Sequence, residues 1–166
     1  MSGQPTIKSA DPAAGSPHRC RLRVRYCECD PMGVAHHGSY AAWFELARTE
    51  MLRDQGVSYA RLERDGFLLM VSSMATRFRF PIRYDDVIEV RTRLVHGGRV
   101  RLRHAYEIGV VEPSDSTPSG NKRAGDGPVA SAEIELACCG VDGRPRALPG
   151  LLRGAAVGSG AGTVGR

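Results

Sequence analysis

No apolar run in this 166-residue chain approaches the roughly 20 residues that a membrane-spanning helix needs. The opening stretch, MSGQPTIKSADPAAGSPH, has no apolar core of the kind a secretory leader carries. Cysteines number 5, an odd count outside any small disulfide scaffold, which fits reduced thiols in cytoplasm. Neither Cys27-x-Cys29 nor Cys138-Cys139 has the two-residue spacer of common zinc sites, so no metal centre is expected. Aromatics are 6% of the chain and are not interleaved with the arginines, so a stacking surface for single strands is not evident. What is present is a soluble balance of 42% hydrophobic and 25% charged residues, enough for one domain with a real core. The net charge of +5 is arginine-driven and suits nucleic acid or a small polyanion such as a phosphorylated cofactor. The arginines fall on alternating strand faces and no nucleic-acid reading motif accompanies them, which sets nucleic acid last.

The chain is organised around Tyr26 to Leu52, YCECDPMGVAHHGSYAAWFELARTEML. Asp30-Pro31 breaks a helix, because the residue before a proline is pushed to extended geometry. Tyr40, Trp43, Phe44, Ala47, Met51 and Leu52 then recur at helical spacing on one face. Ser39 or a close neighbour is the expected N-cap, and Gly56 the left-handed terminal residue. One carboxylate, Asp30, and two imidazoles, His36 and His37, thus stand beside a helix N-terminus with its free N–H groups and partial positive charge. A carboxylate beside donors that can hold an oxyanion is the minimum equipment for acyl hydrolysis. On spacing alone, a turn or cap aspartate is the favoured reading of Asp30.

Around this stretch the pattern is strand-like. Leu22, Val24 and Tyr26 alternate with Arg21, Arg23 and Arg25 over Cys20 to Tyr26. Further strands are expected over Phe67 to Phe80, Val87 to His96, Arg99 to Val111 and Val129 to Val141, with a Gly97-Gly98 hairpin. One or two helical turns fit VSYARLERDG. Residues 1–18, 112–128 and 150–166 are Pro-, Gly-, Ala- or Ser-rich and are expected to be disordered, leaving one domain over 19–149. A long helix followed by an antiparallel meander closes most simply as an α+β fold, a curved antiparallel β-sheet wrapped over the long central helix.

The pattern Arg25-Tyr26-x-Glu28-x-Asp30-x-x-Gly33-Val34-x-x-His37-x-x-Tyr40, then Glu45-x-Ala47-Arg48-Thr49-Glu50-Met51-Leu52, resembles the 4-hydroxybenzoyl-CoA thioesterase family of hotdog-fold enzymes. Within that family it resembles the acyl-CoA thioesterase branch associated with the Tol–Pal cell-envelope system. Phe80-Pro81-x-x-x-Asp85-Asp86-x-Ile88-Glu89-Val90 and Arg144-Pro145-Arg146-Ala147-Leu148-Pro149 add to the match. The resemblance implies a hotdog subunit, a homodimer with a continuous sheet, often paired into a homotetramer, and an active site at the dimer interface. It implies hydrolysis of an acyl-CoA with no cofactor beyond the coenzyme A of the substrate. An acyl carrier protein thioesterase and a non-catalytic acyl-CoA-binding module are the alternatives.

Carried over by that resemblance, Asp30 matches the catalytic aspartate and His37 the imidazole of the branch, with the nearby backbone N–H polarising the carbonyl. Tyr26, Gly33, Val34 and Tyr40 are the candidate substrate-binding residues. Arg99 is the first choice among the arginines for a coenzyme A phosphate, because a guanidinium binds phosphate by forked hydrogen bonds. The sequence departs from the branch at Pro31-Met32, at His36 and in the Gly97-Gly98-Arg99-Val100-Arg101 hairpin. Glu45 is the rival carboxylate, since another hotdog branch uses a helix glutamate.

Overall fold

Alternation of apolar and polar side chains commits five segments of this chain to strands, and one long apolar stripe gives them a helix to cover. The structure, a computed structural model, describes residues 16–115 and 127–152. Most of the expected arm, loop and tail, over 1–18, 112–128 and 150–166, lies outside these residues. In chain order the elements are β1 (His18–Arg23), a 3-10 turn (Tyr26–Glu28), α1 (Ser39–Asp54), α2 (Tyr59–Arg64), β2 (Leu68–Phe78), β3 (Val87–Gly97), β4 (Arg101–Glu112), β5 (Ala130–Cys139) and a 3-10 turn (Gly150–Leu152). The strands form one antiparallel sheet in the order β1-β3-β4-β5-β2. This is the α+β hotdog fold.

The sheet has two ends. Arg23, Val87, Glu112, Ala130 and Phe78 lie at one, and the β3–β4 hairpin, Cys139 and Leu68 at the other. The first half of α1 packs with Val24, Ile88, Val90, Tyr106, Ile108, Ile134 and neighbours. Leu52, near its end, joins Leu62, Leu102, Leu136, Cys138, Leu148 and Leu152 in a second cluster. Phe44 and Tyr106 meet at 4.8 Å between ring centroids and are among the largest fully buried side chains. Leu152, in the closing 3-10 turn, is buried in this second cluster.

One local expectation is sharpened and one changes. The N-cap of α1 is Gly38, the neighbour of Ser39, and no side chain caps it. Ser39 turns its hydroxyl to the Glu28 carbonyl instead, at 2.9 Å. The strand expected to reach Tyr26 stops at Arg23, because Val24 bonds the Asp85–Asp86 turn and the chain then coils. Tyr26 is left 80% exposed. The other end of α1 is as read: Gly56 has φ 78, and Val57 N–H closes on the Leu52 carbonyl at 2.8 Å.

Sheet coverage is uneven. α1 lies over β1 and β3. Val71, Met74 and Phe78 of edge strand β2 pair with the inward residues of β5 yet stay about half exposed, at 54%, 49% and 50%. An exposed apolar edge strand is a template for another chain.

Candidate active site

The loop between β1 and α1 is a miniature hairpin. His36 N–H donates to the Glu28 carbonyl at 2.8 Å, Cys29 bridges Ala35, and Asp30 N–H donates to the Val34 carbonyl at 2.9 Å. Proline supplies the fixed φ that a turn wants at its second position, here Pro31. Gly33 N–H closes that turn on the Asp30 carbonyl at 2.9 Å. Gly33 has φ 72, a left-handed conformation that favours glycine. The Asp30 side chain uses one oxygen locally, Oδ1 accepting the Met32 N–H at 2.9 Å. Its Oδ2 accepts no hydrogen bond among the described residues, and the residue is only partly buried. A half-held carboxylate with one free oxygen can act as nucleophile or base.

The hairpin is pinned to the helix by Glu28. Its carboxylate is buried and accepts the Trp43 indole N–H at 2.9 Å, the Arg25 N–H at 2.7 Å and the Arg25 guanidinium at 2.8 Å. Burial works to raise its pKa, but the bonds from Arg25 and Trp43 outweigh this and hold it below the ordinary value. The sequence reading placed Glu28 in a motif without a role and treated Trp43 only as an apolar anchor. The missed signal was the indole itself, whose buried N–H wants an acceptor.

His36 and His37 stack at 4.0 Å between ring centroids, and both are exposed. His36 Nδ1 accepts the Gly38 N–H at 3.1 Å, so His36 shapes the helix entry. The His37 N–H meets no acceptor among the described residues and stands one residue before the N-cap. An unpaired donor at a helix N-terminus suits a developing oxyanion. Tyr40 is buried in the first turn, 4.8 Å from Trp43 and 4.8 Å from Phe78 between ring centroids. The site therefore adjoins the uncovered face of β2.

Asp30, Gly33, Val34, His37 and Tyr40 share this corner of the molecule. Tyr26 stands outside it, edge-on to Tyr84 at 5.5 Å between centroids. Arg99 belongs to the β3–β4 hairpin, at the opposite end of the sheet of the same chain. Glu45 is exposed on α1. The cysteines are free thiols, Cys138 and Cys139 buried and Cys27 exposed. No group of three His, Cys, Asp or Glu among the described residues is arranged to hold a metal. No described helix is long and apolar enough to cross a membrane.

Comparison with known proteins fits this geometry. A putative esterase of Aquifex aeolicus is 33% identical over 88 residues, which are 53% of this chain and 69% of that protein. An acyl-CoA thioester hydrolase, YbgC, of Escherichia coli O6:H1 is 38% identical over 76 residues, 46% of this chain and 57% of that protein. The matched segments thus span between about half and about two thirds of those relatives. The crystal structure of a hypothetical protein from Thermus thermophilus superposes with a TM-score of 0.69 at 30% identity, covering 84% of this chain and 96% of that one. The thioesterase-like superfamily profile matches residues 24–155, which take in the site hairpin, the helix and the whole of the sheet beyond β1; the chain belongs to the thioesterase-like superfamily.

Proposed function

We propose that this protein hydrolyses acyl-CoA thioesters to a free acid and coenzyme A, in the manner of the Tol–Pal-associated branch of the 4-hydroxybenzoyl-CoA thioesterase family. The observation that carries the reading is the juxtaposition of a free Asp30 oxygen with an unpaired N–H at the start of α1. Asp30 attacks the thioester carbonyl, or takes a proton from the water that does. The carbonyl oxygen gathers negative charge and is held by the His37 N–H and the helix dipole. The thiolate leaves and is protonated, and water completes the acid. The His37 imidazole stands beside the scissile bond and carries a proton between water and leaving thiol. No metal or prosthetic group takes part, and coenzyme A enters only as part of the substrate.

The working unit is a homodimer joined along β2, in which Val71, Met74 and Phe78 are covered by the second copy. Antiparallel pairing of two β2 edges sets the hairpin end of one protomer beside the Asp30 end of the other. Arg99 then reaches the substrate of the partner's site, where its guanidinium meets a coenzyme A phosphate. Tyr40 and Val34 line the acyl side, and Tyr26 lies at the rim. Two such dimers assemble as a homotetramer in the cytoplasm.

The test is thiol release from a panel of short, long and aromatic acyl-CoAs beside the same acyl groups on acyl carrier protein. Release from the CoA esters is the expected result. Release from the carrier esters alone would move the assignment to a carrier-protein thioesterase, and tight binding with no release to a binding module.

A further inference from the structure

Under the middle of α1 lies a group of polar side chains that the site above does not use. Arg48 sits one turn beyond Phe44 on the buried face and is 4% exposed. No carboxylate of the described residues lies within 4.0 Å of its guanidinium, and its Nε has no hydrogen-bond partner. Thr92 of β3 pairs in register with Tyr106 of β4, and His104 precedes Tyr106 by two residues on the same inward face. Thr92, His104 and Tyr106 are each 1% exposed. Among the described residues the Thr92 hydroxyl and both nitrogens of His104 have no partner, and the Tyr106 hydroxyl has only the Arg48 guanidinium beside it. Tyr59, partly buried at the start of α2, borders the group but donates its hydroxyl to the Leu69 carbonyl at 3.2 Å; burial raises the phenol pKa of Tyr59 and of Tyr106, and Arg48 works against it.

Buried polar groups are satisfied almost without exception in native proteins, and an unpaired buried cation is among the costliest defects. Here the orphan groups are contiguous. They are a guanidinium, hydroxyls and an imidazole that burial and Arg48 hold uncharged, at a pKa of about 3. All can donate, and none carries negative charge. Donors converging around one positive charge fit a small oxygen-bearing anion.

We infer that Arg48, Thr92, His104 and Tyr106 form a binding site for a carboxylate between the central helix and the sheet. Two sources share that chemistry: the distal carboxylate of a bound acyl group, or a free organic acid. The first rests on the proposed thioesterase reading, and the second does not. Arg48 stands nine residues beyond Ser39, so about 14 Å of helix separates it from the proposed oxyanion site. A carboxylate on the acyl chain must span that length.

The experiment has two arms, each run on the full chain and on Arg48→Met. In the first, thermal melting is followed with added adipate, benzoate or acetate against chloride at equal ionic strength. Wild type is expected to gain stability with adipate or benzoate, and Arg48→Met to lose that gain, with affinity down by about tenfold or more, as for a lost charge-assisted contact. The second compares kcat/KM for adipyl-CoA with that for hexanoyl-CoA. A preference for adipyl-CoA that disappears in Arg48→Met assigns the site to the acyl terminus, and a melting response without that preference assigns it to a free acid. Thr92→Val and Tyr106→Phe, which keep side-chain shape, repeat both arms should Arg48→Met fold poorly. Neither a carboxylate-specific melting response nor an adipyl preference in wild type overturns the inference. Failure to hydrolyse any thioester overturns the proposed activity, while the melting arm still decides this site.

Discussion

Glu28 and Arg48 are both buried charges held against the same helix, and they are treated in opposite ways. The Glu28 carboxylate accepts three hydrogen bonds, one from the indole of Trp43 on α1 and two from Arg25. Arg48, little more than one turn of helix beyond Trp43, has no ion-pair partner among the described residues, and the buried Thr92 and His104 side chains are unpaired among them as well. A buried charge that is paired and hydrogen-bonded fixes geometry, and one that is not keeps a demand that only solvent or a ligand can meet. The first holds the Asp30 hairpin to α1 and makes a rigid corner. The second leaves an unmet polar demand in the middle of the core.

The difference predicts stability changes of opposite sign. Glu28→Ala strands the Trp43 indole and the Arg25 N–H and is expected to cost about 3 kcal/mol, read from denaturant midpoints. Arg48→Met in carboxylate-free buffer is expected to leave stability unchanged or raise it by about 1–2 kcal/mol. A cost for Arg48→Met matching that of Glu28→Ala would erase the comparison.

The pH dependence sharpens it. His104 has a folded pKa of about 3 against an ordinary 6.5, so between these values the unfolded chain binds a proton that the folded chain refuses. Stability therefore falls as pH drops below 6.5, and His104→Phe is expected to flatten that slope in melts taken from pH 7 to 4. Glu28 is held below its ordinary 4.5, so its stabilisation is full above that value and is lost only in stronger acid, as pH falls through the folded pKa. Glu28→Gln is expected to lower stability above pH 4.5 and to flatten the acid limb, where the two proteins converge.

Smaller effects come next. Trp43→Phe keeps the ring and removes the donor, at about 1–2 kcal/mol, and a double-mutant cycle with Glu28→Gln is expected to show coupling of about 1 kcal/mol. The smallest change belongs to Glu89, on the outer face. It is buried beneath Arg19 and Arg21, whose side chains are largely in solvent, and Arg91, which is partly so. Glu89→Gln is expected to cost about 1 kcal/mol or less, since water can replace much of what the arginines lose.

Much of the architecture was legible because alternation carries it. The inward set Ala130, Ala132, Ile134, Leu136 and Cys138 is buried as its period requires. The helix was legible from Tyr40, Trp43, Phe44, Ala47 and Met51 for the same reason. Tyr26 was misplaced because alternation continues in the sequence past the point where Val24 turns to bond the Asp85–Asp86 corner. The N-cap was legible to within one residue, at Gly38, but the use of the Ser39 hydroxyl was not, since its acceptor lies across the hairpin and only tertiary structure supplies it. Glu28 was invisible as a clamp, since its partner is 15 residues away and its own neighbours are polar. Arg48 was more readable than it looked: it lies at i+4 from Phe44, and His104 and Tyr106 already alternated on the inward face. A polar residue on a buried stripe was the signal.

The central claim is that Asp30 supplies the carboxylate for thioester hydrolysis. It is tested most directly by thiol release from acyl-CoA with wild type and Asp30→Asn side by side, each shown by light scattering to have the same mass and by melting to be folded. Asp30→Asn is expected to lose turnover by about 10³-fold or more while keeping its fold, as for loss of a catalytic group. Near wild-type release by that variant would contradict the account and move attention to Glu45 or to another group at the helix entry.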